Sequence, residues 1–135
     1  MKNLGVYLSF NGNCAEAMKF YKDCFNGEVQ MQTFKDSGQA TPPGSENRIM
    51  HAELKADELV FMASDTMPGQ PFNIGSQVSL NVMLTDENEQ TEIFKKLSSG
   101  GKIIMELQDT FWGARFGMLT DKYGNNWMLN VQKSS

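Results

Sequence analysis

The sequence is poor in the residues that carry metal ligation, cross-linking and covalent catalysis. Its 135 residues include one histidine, His51, and two cysteines, Cys14 and Cys24. The cysteines fall on one predicted helix, about 15 Å apart at the helical rise per residue, which is too far for a disulfide. We therefore expect reduced thiols and a cytoplasmic protein. A lone histidine is a weak signal for a metal site.

Positive charge and long apolar runs are also scarce. Lys and Arg number 12 against 16 Asp and Glu, which gives a formal net charge of −4. An acidic chain attracts polyanions poorly, so we expect no nucleic-acid partner. No apolar run approaches the roughly 20 residues that span a bilayer, and the first residues lack the pattern of a signal peptide. We therefore expect no membrane partner.

Hydrophobic periodicity predicts the order β-α-β-β-β in the first half of the chain. The predicted helix covers 14–25, and the predicted strands cover 4–10, 28–35, 48–56 and 58–64. Asn13 is placed to cap the helix and Asn26-Gly27 to end it. Residues 36–47, with Pro42-Pro43-Gly44, are predicted as a loop, and whether that loop acts as a lid stays open.

The second half repeats this order. A strand at 78–84 precedes a helix with Asp86 and Glu89 at capping-box spacing, and strands at 102–108, 115–121 and 126–132 follow. An offset of 74 positions carries Leu8 onto Val82 and Gly27 onto Gly101. This repeat predicts a single α+β domain of two βαβββ modules, 1–65 and 77–135, joined by a linker at 66–76.

Each predicted module leaves one sheet face uncovered. In the first strands of the modules that face carries Gly5, Tyr7 and Ser9, and then Ser79, Asn81 and Met83. Such a face is too apolar for open solvent and too polar for a core. Two curved mixed sheets with these faces would enclose a cleft, so we expect a small-molecule ligand.

Nearly the whole chain resembles the vicinal-oxygen-chelate superfamily, which includes glyoxalase I, extradiol dioxygenases and the bleomycin- and fosfomycin-resistance proteins. The resemblance is carried by YLSFNGNCAEAMKFYKDCFNGEV at 7–29 and LTDKYGNNWMLNV at 119–131. IMHAEL at 49–54, MASD at 62–65 and GGKIIMELQDTFWGARFG at 100–117 resemble its PhnB-like branch, whose members are labelled 3-demethylubiquinone methyltransferase-like. Nothing in the sequence resembles a nucleotide-cofactor site that would support a methyltransferase.

The resemblance implies a divalent metal held by His and Glu from the first and last strand of each module. Those positions fall near Tyr7, Met62, Asn81 and Met128, none of which is His, Asp or Glu. A phenol, an amide and two thioethers suit a hard or borderline dication poorly. We therefore expect no metal cofactor and a binding protein, for which the bleomycin-binding resistance proteins give a precedent.

Two alternatives remain. In the first, the protein is an enzyme, either metal-dependent through His51 with Glu53, Asp65 or Glu106, or metal-free with His51 as acid or base. In the second, it is a structural dimer with a vestigial pocket. The resemblance implies a homodimer, in which the linker at 66–76 would allow modules to be exchanged between chains.

The segment 108–117 is predicted to be a hairpin at the mouth of the cleft. Trp112 would supply an apolar wall and Arg115 a fork for an anionic group, oriented by Gln108 and Asp109. The alternative is a packed hairpin with Arg115 paired to Asp109 or Asp121. The candidate catalytic residue is His51. The candidate ligand-binding residues are Tyr7, Ser9, His51, Met62, Asn81, Glu106, Trp112, Arg115 and Met128.

Overall fold

The chain folds as two units, Met1–Phe72 and Asn73–Ser135, and each is described by itself. The computed structural model describes residues 2, 4–38, 41, 43–67, 72–75 and 77–133. Within these residues each unit contains one helix and one four-stranded mixed sheet. The predicted α+β class and the twofold βαβββ order are confirmed.

The first unit runs β1 Tyr7–Phe10, α1 Cys14–Phe25, β2 Glu28–Thr33, β3 Ile49–Ala56 and β4 Leu59–Asp65. Its strands lie in the order β1-β4-β3-β2. Strands β1 and β4 are parallel, and the other pairs are antiparallel. The parallel pair is possible because α1 forms a crossover connection after β1.

Helix α1 covers one face of this sheet. The covered face carries Leu8, Ala63 and Ala52, which are register partners in β1, β4 and β3, and all three are buried. The aromatic ring of Tyr21 on the helix meets that of Phe61 on β4 edge-on, with the ring centroids 5.7 Å apart. Small residues let the helix approach the sheet, and the rings fill the space beside them.

The first turn of α1 is capped by a residue that is distant in sequence. Asn13 occupies the N-cap position as predicted, but its side chain makes no capping hydrogen bond. Instead Asp65, at the end of β4, accepts the backbone N–H groups of Gly12 and Cys14 on Oδ1, at 2.8 and 3.0 Å. Its Oδ2 accepts the N–H of Ile49 at 2.9 Å. One buried carboxylate of β4 therefore binds the turn before α1, the first residue of α1 and the start of β3.

The second unit runs β5 Leu80–Leu84, α2 Glu87–Leu97, β6 Lys102–Asp109, β7 Ala114–Thr120 and β8 Asn126–Gln132, in the sheet order β5-β8-β7-β6. Strands β5 and β8 are parallel. Asp86 caps α2, since its side chain accepts the N–H of Asn88 at 3.0 Å. The buried Gln90 of α2 donates to the carbonyls of Arg115 and Leu129, at 2.8 and 3.1 Å, and so fixes the helix on the sheet.

Strands β3 and β4 begin one residue later than the sequence patterns predicted, and β1 and β5 begin two or three residues later. Strand β1 begins at Tyr7 rather than at residue 4, and β5 at Leu80 rather than at residue 78, because Leu4 and Val78 are largely exposed outside the ladders. Residues 39, 40 and 42 of the predicted loop, and 68–71 and 76 of the predicted linker, lie outside the described residues. Neither helix in the described part is long and apolar enough to cross a membrane.

Candidate functional site

The face of the first sheet opposite α1 presents a row of side chains across all four strands. Tyr7 is the register partner of Met62, Met62 of Glu53, and Glu53 of Gln30. Register partners point to the same side of a sheet, so these four side chains lie on one face. Half of the Tyr7 surface is exposed, at 50%, although Tyr7 is a large aromatic residue in a strand. This row places two of the predicted site residues, Tyr7 and Met62, side by side.

Tyr7 and His51 meet on this face. The Tyr7 hydroxyl lies 3.4 Å from Nδ1 of His51, and the two ring centroids are 6.0 Å apart at an interplanar angle of 47°. The distance is at the long end for a hydrogen bond, as expected for exposed side chains. The residues come from β1 and β3, with β4 between them, so the tertiary fold creates the pair. Both groups can donate and accept a proton.

Polar side chains surround this pair. Ser9 of β1 is the register partner of Ser64 of β4, and Gln32 of β2 is the register partner of His51. Beside them, Glu28, Gln30, Glu53 and Lys55 line a shallow depression of about 40 Å³. That volume accommodates a few water molecules but no larger ligand. Glu53 lies 3.7 Å from the Lys55 amine in an exposed ion pair. The first sheet therefore offers a hydrogen-bonding surface with one imidazole.

Of the three carboxylates suggested as partners of His51 in an atypical metal site, Glu53 lies on the same sheet face and pairs with Lys55. Asp65 is buried, and its two oxygens accept three backbone N–H groups. Glu106 belongs to β6 of the second unit and is exposed. Among the described residues no group of three His, Cys, Asp or Glu side chains is arranged to hold a metal ion.

In the second sheet the corresponding row is rich in methionine. Asn81 is the register partner of Met128, Met128 of Met118, and Met118 of Met105. The Asn81 side-chain amide donates to the sulfur of Met83 at 3.4 Å. The predicted residues Asn81 and Met128 are thus neighbours on one face, as Tyr7 and Met62 are in the first sheet.

The donor atoms at these positions do not fit the divalent metal that the superfamily resemblance implies. In each unit the two positions that would supply ligands are register partners in parallel strands. They carry a phenol and a thioether in the first unit, and an amide and a thioether in the second. Zn²⁺, Mn²⁺ and Ni²⁺ prefer imidazole and carboxylate.

Trp112 lies in the predicted hairpin between β6 and β7. Gly113 has a φ of +83°, which glycine adopts without strain, and the N–H of Thr110 bonds the carbonyl of Ala114 at 2.8 Å across the turn. The Trp112 ring packs on Phe116, with centroids 5.7 Å apart, and remains 49% exposed. Phe111 is 97% exposed. The predicted hairpin is confirmed. Trp112 covers part of the Phe116 ring and leaves about half of its own surface exposed to solvent.

Arg115 faces helix α2, on the opposite side of the sheet from Met118 and Phe116. Its Nη1 donates to Gln90 Oε1 at 2.9 Å and to the Glu87 carbonyl at 3.1 Å. Its Nε lies 3.7 Å from the Glu87 carboxylate. The predicted orientation by Gln108 and Asp109 is corrected, as is the alternative pairing with Asp109 or Asp121, because Gln90 and Glu87 of α2 hold the guanidinium. Asp109 is the register partner of Arg115, but its carboxylate pairs with the Lys133 amine at 2.6 Å. These contacts make Arg115 a link between helix and sheet.

Several residues of the exposed faces were absent from the sequence predictions. Ser64 and Met118 share a face with Met62 and Met128, and strand alternation alone could have identified them. Met105 could not be found in this way. The β6–β7 pairing shifts by one residue between Ile103 and Met105, so a bulge brings Met105 opposite Met118.

Comparison with known proteins assigns a family. Residues 2–130 match the model of the family described as 3-demethylubiquinone-9 3-methyltransferase. Protein YjdN of Escherichia coli K12 is 34% identical over 142 aligned positions, which cover 96% of this chain and 95% of YjdN.

Solved structures agree with this assignment. Protein PA1353 of Pseudomonas aeruginosa superposes with a TM-score of 0.88 at 35% identity, over 99% of this chain and 100% of that one. The PhnB protein of Bacillus cereus superposes with a TM-score of 0.79 at 30% identity, over 96% and 99%. A glyoxylase/bleomycin resistance protein/dioxygenase domain from Frankia shares the fold at 9% identity. Its TM-score is 0.71, over 98% of this chain and 99% of that domain.

Proposed function

The chain belongs to the 3-demethylubiquinone-9 3-methyltransferase family and has the glyoxalase/bleomycin-resistance/dioxygenase fold, and from this premise we propose that it binds a small organic molecule. The proposed surface is the face of the first sheet that α1 leaves uncovered. The ligand is held by side chains rather than by a divalent metal at the four superfamily positions. The activity in the family description is not part of the proposal.

The observation that carries this proposal is the contact between Tyr7 and His51. A phenol and an imidazole lie within 3.4 Å on an exposed sheet face, although 44 positions separate them in the chain. Neither side chain contributes to the core beneath α1. Exposed aromatic residues that are held together by the fold commonly serve recognition, since they offer ring surface and a polar atom at low entropic cost.

The neighbouring side chains suggest the class of ligand. The two rings offer aromatic surface, the imidazole Nε2 can donate to an acceptor, and Ser9 with Ser64 adds two hydroxyls. Such a set suits a planar molecule that carries a carboxylate or another oxygen acceptor. Glu53 and Lys55 form an ion pair beside it and so add little net charge. We therefore propose a small aromatic carboxylate or a related oxyanion.

A thermal-shift screen tests this function. The panel contains benzoate, 4-hydroxybenzoate, salicylate, uncharged phenols and aliphatic carboxylates. A compound that binds the native state alone raises the melting temperature, and the stabilisation grows with the logarithm of one plus the ratio of its concentration to Kd. We expect the aromatic carboxylates to stabilise the wild type. Their apparent Kd for His51→Ala should be at least tenfold higher. Glu16→Ala, on the exposed side of α1, is the matched control and keeps wild-type affinity. A panel without a stabilising compound would refute the proposal.

The same contact favours a second candidate, acid–base catalysis by His51 with Tyr7 as its hydrogen-bonding partner. This is the metal-free form of the enzyme alternative. It predicts that a bound compound is converted, and that His51→Gln retains binding while conversion stops. Proton NMR of each stabilising compound over hours separates the two candidates. The metal-dependent form gains no support from the residues, because Asp65 is occupied by backbone donors.

The structural-dimer alternative and the homodimer remain predictions. Sedimentation equilibrium distinguishes a species of one 15.1 kDa chain from a species of two. A dimer whose melting temperature none of the compounds changes would favour the structural role.

A further inference from the structure

One row of the second sheet contains three adjacent methionines. Met128 of β8, Met118 of β7 and Met105 of β6 are successive register partners, and Asn81 of β5 completes the row. Neighbouring strands lie about 4.8 Å apart, so Met118 starts about that far from each of the other two methionines, which are about 10 Å from each other. Register partners share a face, and the three side chains therefore leave the sheet on the same side.

These methionines are not part of the helix-covered core. Met18 of α1 is completely buried, whereas Met105 is 36% exposed and Met118 and Met128 are partly exposed. The β6 bulge is what brings Met105 opposite Met118 and completes the row. A solute can therefore reach the thioethers from the face opposite α2.

We propose that Met105, Met118 and Met128 form a thioether site for a soft monovalent cation, Cu(I) or Ag(I). Neutral thioethers bind soft cations well and hard or borderline dications poorly. The thioether of Met128 therefore suits Cu(I) for the same reason that it does not suit Zn²⁺ or Mn²⁺. Each methionine has three rotatable side-chain bonds, so three sulfurs can converge on one ion without backbone movement.

A fourth sulfur lies at one end of the row. Met83 of β5 accepts a hydrogen bond from the Asn81 amide at 3.4 Å, and Asn81 is the neighbour of Met128. This contact places the Met83 thioether near the Met128 end, where it can supply a further ligand. The inference is independent of the Tyr7–His51 surface, which belongs to the first unit.

Titration with Ag⁺ under native conditions tests the site. The protein carries ¹³C at the methionine ε-methyl groups, and single Met→Leu variants assign the resonances. We expect saturation at one Ag⁺ per chain, with shifts of the Met105, Met118 and Met128 methyls and an unchanged Met18 methyl. Zn²⁺ at the same concentration should shift none of them. Cu(I), added anaerobically with bicinchoninate as competitor, should reproduce the pattern.

Variants separate this site from binding at the two buried cysteines. Met118→Leu removes the central sulfur with little change of volume and should weaken Ag⁺ binding at least tenfold. Met31→Leu, which removes a comparably exposed methionine of the first unit, should leave the affinity unchanged. The inference is overturned if Ag⁺ shifts none of the three methyls, if Met118→Leu binds as tightly as the wild type, or if binding is lost only with Cys14→Ser and Cys24→Ser.

Discussion

The Oδ1 atom of Asp65 accepts the backbone N–H of Cys14 at 3.0 Å, which ties the end of β4 to the first turn of α1. Asp65 also accepts the N–H groups of Gly12 and Ile49 and is buried. We expect Asp65→Asn to lower the free energy of unfolding by about 3 kcal/mol, because it places an amide N–H₂ against a backbone donor. Urea denaturation measures this, with Asp23→Asn on the exposed side of α1 as control. A loss no larger than that of the control would contradict the role given to Asp65.

The buried thiol of Cys14 should make stability depend on pH. Burial, reinforced by the negative charge of Asp65, raises the pKa of Cys14 from 9.0 to about 12. The unfolded state therefore releases the proton at a lower pH than the folded state. The contribution to stability is complete below about pH 9 and is lost as the pH rises from there to about 12.

Urea denaturation between pH 8 and pH 11 tests this dependence. Cys14→Ala should lose stability less steeply above pH 9 than the wild type, whatever its stability at pH 8. Asp23→Asn, on the exposed side of α1, retains both thiols and should follow the wild-type slope. Parallel curves for wild type and Cys14→Ala would show that the thiol has no such role.

Two glycines at equivalent places in the two units are required by close packing. A Cβ atom at Gly27 would lie 2.6 Å from the Lys55 carbonyl oxygen, and one at Gly101 would overlap the carbonyl of Thr120. Both obstacles are backbone atoms in a neighbouring strand, which cannot move aside. We expect Gly101→Ala to cost about 3 kcal/mol in chemical denaturation. Gly75→Ala, whose Cβ would meet nothing within 4 Å, should change stability by less than about 0.5 kcal/mol.

The sequence predicted most of the fold because local patterns determine these elements. The bounds of α1 and β8 were predicted without error, since the helical spacing ends at Phe25 and the apolar alternation ends near Gln132. The helix end at Asn26-Gly27 was predicted, but not the separate roles of the two residues. Asn26, with a φ of +54°, takes the left-handed position at the end of α1, while Gly27 allows close approach to Lys55.

The exposed faces were harder to predict, because they depend on contacts between distant strands. Tyr7 and His51 were both candidates, but only the strand order β1-β4-β3 shows that they meet. Arg115 was assigned to the wrong partners because a single sequence does not show where α2 lies relative to β7. The bulge that positions Met105 has no signal in the pattern of apolar residues.

The most direct test of the account is an NMR titration of the imidazole of His51. Because His51 is the single histidine, its ring ¹H–¹⁵N signals need no assignment variants. Addition of a stabilising aromatic carboxylate to the wild type should shift these signals saturably, and Tyr7→Phe should weaken the binding. Ring signals that do not move while the same compound raises the melting temperature would place the ligand elsewhere and contradict the proposed surface.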